Sequence, residues 1–100
     1  MRVFISQPMV QGTTTVQVWV DRAAVVSRLE IAGHTVVDSL IADAPPETSH
    51  RALWYLGGAL QILAGCDAIY MMAGWSQSRR CTLEYDAAVA YGVETMGADE

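Results

Sequence analysis

The stretch "CDAIYMMAGWSQSRRCTLEYDAAVAYG", residues 66–92, decides the fold. Its first seven residues, 66–72, form the most continuously apolar of the strand-like segments, as expected of a strand covered on both faces. Residues 73–78 interrupt that run with Gly74, Trp75, Ser76 and Ser78. From about residue 79 an alanine-rich segment reads as helix to residue 91, stopped by Gly92. "VETM", 93–96, then reads as a short last strand. Strand, loop, helix and strand in this order form the unit from which parallel α/β sheets are built.

The same unit recurs toward the N-terminus. "RVFIS", 2–6, is a buried strand ending on polar Ser6. "QPMVQGTTT", 7–15, is a loop with candidate helix caps Thr13, Thr14 and Thr15. Within residues 15–32, "TVQVWV" alternates like a strand. Val16, Trp19, Val20, Ala23 and Ala24 also fall at i, i+3, i+4, i+7 and i+8, the apolar stripe of a helix. Length decides for helix, ended by Gly33. "HTVVDS", 34–39, is a second strand, and "LIADAPPETS", 40–49, a loop stiffened by Pro45 and Pro46. Residues 51–65 are helical, with Leu53, Leu56, Leu60 and Leu63 on one face and Gly65 at the end. The tail beyond 96 reads as frayed. The result is one domain over residues 1–100. It is an α/β fold, a small doubly wound parallel sheet of about four strands with helices on both faces.

Composition agrees and removes several functions. The chain is 100 residues long, 52 % hydrophobic and 17 % charged, which suits one folded core. A core this small makes self-association a reasonable expectation. The net charge is −5 and all six basic residues are arginines, so a nucleic-acid polymer is not the expected partner. The composition leaves room for a small anion held by one or two arginines. Cys66 and Cys81 are too few for a disulfide framework and read as reduced thiols of a cytoplasmic protein. The start "MRVFIS" falls short of a signal sequence. No run reaches the ~18 apolar residues of a membrane span, so no membrane partner is expected.

Ligands of doubly wound folds bind beyond the carboxyl ends of the strands. That rule selects the loop from Ser6 to Gly12, then Asp38 and Ser39, then Gly74 to Arg80. Glu84 follows in the first turns of the last helix, where the helix dipole would keep its carboxylate ionised. Such a carboxylate can attack an anomeric carbon or stabilise an oxocarbenium ion. It can also merely complement the dipole, and residue physics alone favours that plainer role. Ser76, Ser78, Arg79 and Arg80 have the makings of a phosphate cradle, but a Ser78 cap followed by exposed arginines explains them as well or better. Trp75 suits stacking on a base and covering a core edge equally. Trp19, Trp54 and Tyr55 read as packing residues. Asp38 suits ribose hydroxyls or a loop cap, Asp67 a turn at the opposite end of the sheet, and Asp86 the helix face opposite Glu84. His34 and His50 show no metal spacing with either cysteine, and Cys81 reads as a buried structural thiol. Neither metal nor thiol catalysis is expected.

Three segments, "FISQPM", "LWYLGGALQILAGCDAIYM" and "GWSQSRRCTLEYDAAVAYGVE", together resemble the nucleoside 2-deoxyribosyltransferase superfamily. The likeness is strongest to a small branch found in bacteria and their phages, and it spans nearly the whole chain. It implies a flavodoxin-like or Rossmann-like sandwich, a homodimer or larger assembly, and an active site completed by a neighbouring subunit. It implies cleavage or exchange of the N-glycosidic bond of a nucleoside or nucleoside monophosphate, with no metal or organic cofactor. Under this resemblance Glu84 is the nucleophile and Ser78 contacts the 5′-phosphate. The loop of Ser6, Gln7, Pro8, Met9 and Gly12 encloses base and sugar. Gly74, Trp75 and Arg79 would complete the ligand contacts, with Trp75 against the base. The departures are specific. Ala59 stands where the family has the aspartate that helps protonate the leaving base, and Arg80 where it has glycine. Val10, followed by Gln11, stands where an arginine or other polar residue is common, and Phe4 lacks an aromatic hydroxyl. Asp38 is then a candidate substitute acid. The rival reading is a catalytically weak module that senses or sequesters a nucleotide derivative, favoured by Ala59. A purely structural role is the remaining alternative.

Overall fold

The computed structural model describes residues 1–9, 14–39, 46–47 and 50–98. The chain runs β1 (Arg2–Ser6), α1 (Thr15–Ile31), β2 (Thr35–Val37), α2 (Arg51–Leu63) and β3 (Ala68–Met71). A 3-10 turn (Trp75–Gln77), α3 (Arg79–Ala90) and β4 (Glu94–Met96) follow. The four strands form one parallel sheet in the order β2-β1-β3-β4. This is the doubly wound arrangement that the element order implies. β3 starts later than the apolar run because the Cys66 N–H bonds to the Leu63 carbonyl and belongs to the helix exit. Asp67 makes the turn, its carboxylate accepting from the Arg2 N–H at 2.8 Å.

Strand alternation builds the two layers. Val3 and Ile5 of β1, with Ala68, Tyr70 and Met72, pack on Val25 and Leu29 of α1. Phe4, Ile69 and Met71 point the other way, onto Ala59 and Leu63 of α2 and Cys81 and Ala88 of α3. Both faces are covered, which is why the central strands are apolar without alternation. Burying Phe4 or Ile69 contributes about 1.5–3 kcal/mol each. Thr14 caps α1, its hydroxyl accepting from the Gln17 N–H at 3.1 Å. Gly33 and Gly92 close α1 and α3. Their N–H groups bond to Glu30 and Val89 carbonyls, and the next N–H to Leu29 and Ala88, the double bond of a Schellman ending. Among the described residues no helix is long and apolar enough to cross a membrane.

Two helix faces differ from the sequence expectation. The stripe of Val16, Trp19, Val20, Ala23 and Ala24 is exposed, with Val16 at 72 % and Val20 at 56 %. The face α1 turns inward carries Val18, Arg22, Val25, Val26 and Leu29. The arginine in the middle of that face hides it from an apolar pattern. On α2, Leu53 is exposed, and Ala59 and Leu63 are the buried contacts. A small alanine lets the helix lie close to the sheet, so the leucine pattern misplaces the face by part of a turn.

Two glycines test this packing. Gly97 has a φ of +73°, and a Cβ there would lie 2.7 Å from the Met71 carbonyl oxygen. Gly57 lies in α2 with nothing within 4 Å of a would-be Cβ. In urea unfolding at one protein concentration, Gly97→Ala should lose at least about 1 kcal/mol. Gly57→Ala should gain up to about 1 kcal/mol, because alanine is the better helix former.

Candidate functional site

β1 and β3 are neighbours, but their chains leave in opposite directions, so a crevice opens beyond their carboxyl ends. Ser6 ends β1 beside Met71 of β3. On the far side, the Ser78 hydroxyl caps α3, accepting from the Cys81 N–H at 3.3 Å. That start sets the phase of α3 and turns Cys81, Glu84 and Ala88 inward. Glu84 is only 2 % exposed. The Ser6 hydroxyl donates to its Oε1 at 2.7 Å. Arg80, one turn earlier, places Nε 3.9 Å from the same oxygen and donates from Nη2 to the Gln7 carbonyl at 2.6 Å. Among the described residues both contacts fall on Oε1 and none on Oε2. Arg80 Nε is itself buried and has no hydrogen-bond partner among the described residues.

Glu84 and Arg80 line a cavity of about 430 Å3, a size that suits a small organic ligand. Phe4 and Ile5 of β1 and Ala59 of α2 supply apolar wall. Val18, Trp19 and Arg22 enter from α1, and Tyr55 from α2. Arg22 donates from Nη2 to the Ser39 hydroxyl at 2.9 Å, which fixes the guanidinium at the end of β2. Gln7 donates from Nε2 to the Val18 carbonyl at 2.9 Å and ties the β1 loop to α1. Among the described residues the cavity therefore combines two guanidinium groups, one carboxylate and three aromatic side chains.

Burial governs the charges. It pushes the Glu84 carboxyl above the usual glutamate range, against the Ser6 hydrogen bond and the Arg80 charge, which pull it down. The expected dipole effect does not prevail, because Glu84 sits in the second turn, past the free N–H groups, and away from water. Arg22 is pushed down by burial, which outweighs the opposing charge of Asp38, and the Arg80 charge adds a smaller push downward. An anion between Arg22 and Arg80 would relieve that repulsion.

The residues singled out from sequence divide into three groups. Ser6, Gln7, Met9 and Glu84 meet at the cavity or directly behind it. Pro8 is buried and backs the Gly74 turn, where a Cβ would lie 3.6 Å from its Cγ. Trp75 turns away, its ring 4.6 Å from that of Tyr85 and its Nε1 donating to the Ala98 carbonyl, so it covers a core edge. Ser78 acts as the cap, Arg79 lines a neighbouring groove, and Asp38 is exposed outside the cavity wall. Gly12, like Val10 and Gln11, lies outside the described residues. Sequence reasoning missed Arg22 as a cavity residue and took Trp19 and Tyr55 for packing. Trp19 is 54 % exposed and reaches the cavity mouth. The available signal was a tryptophan and an arginine three residues apart on a helix that follows the β1 loop.

The raised Glu84 pKa has a stability consequence. Between the unfolded and folded pKa values the folded state binds more protons, so stability falls as pH rises through that window. Below it the carboxyl is neutral in both states. Relative to wild type, Glu84→Gln should therefore be more favourable at pH 7.5 than at pH 4, as read by urea unfolding at both values. An equal difference at the two would contradict the burial effect.

No curated protein and no solved structure matches the chain. The family described as Domain of unknown function (DUF4406) matches residues 1–96, from the first strand to the end of β4 and across the Ser6–Glu84 site, and the chain belongs to that family.

Proposed function

We propose that the protein acts on the N-glycosidic bond of a nucleoside or nucleoside monophosphate, as a hydrolase or deoxyribosyl transferase of the nucleoside 2-deoxyribosyltransferase type. The observation that carries this reading is the buried Glu84 carboxylate, held by Ser6 in the wall of a cavity that also offers arginines and aromatic rings. Glu84 Oε2 attacks C1′ of the sugar. The C1′–N bond breaks, and its electron pair leaves with the base, which takes up a proton. Water then attacks C1′, frees Glu84 and gives up its proton; in transfer, a second base takes the place of water. Trp19 and Tyr55 offer faces for a base. Arg22 and Arg80 hold a 5′-phosphate, a role the sequence had suggested for Ser78 and Arg79. The scheme calls for no metal or organic cofactor, and both cysteines are free, as suits the cytoplasm.

Ala59 favours a second reading. It lines the cavity at the position where the resemblance has a proton-donating aspartate, and a methyl group donates no proton. A binding module for a nucleotide derivative would tolerate that loss. The two readings share their ligand and differ in turnover.

We also read α1 as a contact between copies of the chain. Val16, Trp19 and Val20 expose an apolar strip on the helix that borders the cavity. A second copy lying there would cover the strip and close the cavity mouth beside Trp19. Light scattering should show a dimer or larger species that Val20→Glu converts to monomer. A monomeric wild type would overturn this.

Chromatography with a panel of nucleosides and nucleotides should show a free base. Glu84→Ala should lower the rate by at least about a thousandfold. The rate should fall on the acid side at a pH above the ordinary glutamate range, since Glu84 must be ionised to attack. Ser6→Ala removes a contact that lowers the Glu84 pKa, and so should move that limb higher. Intact substrates together with nucleotide-dependent thermal stabilisation would select the binding module. No stabilisation by any nucleotide would contradict both.

A further inference from the structure

A second groove, of about 660 Å3, opens beside the cavity. His50 and Arg51 at the start of α2 line one wall, Arg79 and Leu83 of α3 the other. Tyr55 and Arg80 line both concavities, so the two are contiguous. The charge distribution separates this groove from the rest of the surface. The chain carries six basic residues against a net charge of −5, yet Arg22, Arg51, Arg79 and Arg80 all line these two hollows. Among the described residues, no carboxylate lines the groove and neither Arg51 nor Arg79 has an ion-pair partner. Cations gathered in this way repel one another and are stabilised by a bound anion. Guanidinium forks match phosphate oxygens in pairs. The starts of α2 and α3 add backbone N–H donors at the same place, and among the described residues no side chain caps α2.

We infer that the groove is a polyphosphate subsite. The ligand it fits is a nucleotide with two or three linked phosphates. Its base and sugar occupy the cavity beside Glu84, and its phosphate chain passes Arg80 into the groove between Arg51 and Arg79. The nucleoside half of this assignment rests on the function proposed above; the polyphosphate half does not. A single phosphate is met by Arg22 and Arg80 alone and leaves the second hollow unused. A nucleic-acid strand is disfavoured, because the chain is acidic overall and only four arginines line these hollows.

Inorganic tripolyphosphate tests the subsite without a nucleoside. In calorimetric titrations at constant ionic strength, tripolyphosphate should bind the wild-type chain at least tenfold more tightly than orthophosphate. The double variant Arg51→Ala/Arg79→Ala should lose that preference, and Arg51→Lys/Arg79→Lys should keep part of it. Both positions are exposed, so folding is expected to survive, and far-ultraviolet circular dichroism checks this. Glu84→Gln should bind tripolyphosphate at least as well as wild type, so this result stands even if no glycosidic bond is cleaved. A nucleoside triphosphate should in turn bind more tightly than its monophosphate, by a margin that the double alanine variant removes. Equal binding of tripolyphosphate and orthophosphate to wild type, or an unchanged preference in the double alanine variant, would overturn the inference.

Discussion

A hydroxyl at the end of the first strand donates to a carboxylate 78 residues further along, and both groups are buried. The rest of the site depends on this contact. It requires Ser6 to end β1 in register with Met71, and it requires α3 to start at Ser78 so that its inward face carries Glu84. It also fixes where Arg80 can reach. Taking a carboxylate out of water is costly, and one hydroxyl donor with a guanidinium at 3.9 Å offsets only part of that cost. An apolar residue at position 84 would serve the core better. A buried, perturbed carboxylate at the switch point of the sheet is the kind of group that function retains at the expense of stability.

Much of the fold was legible because its signals are local. The apolar runs at β1 and β3, the threonine cap of α1 and the glycines after α1 and α3 each act within a few residues. Helix facing was harder to read. α1 presents an apolar stripe to the outside and an arginine to the cavity, opposite to what an amphipathic pattern suggests. Burial there is set by the neighbours that the fold brings in, and a single-helix pattern does not record them.

The site was half legible for the same reason. Ser6, Gln7 and Glu84 follow from the rule that ligands bind at strand ends. Ser39 follows from the same rule, but Arg22 and Tyr55 reach the cavity from two other segments, and only the closed fold brings them together. Trp75 sits at the right end of the sheet, but its ring is committed to Tyr85. Ala59 and Arg80, which stand where the proposed likeness to the deoxyribosyltransferases would have aspartate and glycine, both line the cavity. Together they remove an acid and add a cation. On this reading the cavity is better built to grip an anion than to protonate a leaving base, which sets how fast any chemistry at Glu84 could run.

The most direct test is a crystal structure of the Glu84→Gln variant with a nucleoside 5′-monophosphate bound. The account predicts the sugar C1′ within about 3.5 Å of the position-84 side chain, a near-attack distance. It places the phosphate on Arg22 and Arg80 and the base against Trp19 or Tyr55. A ligand bound away from position 84, or a cavity closed by protein side chains with no room for the sugar, would contradict it.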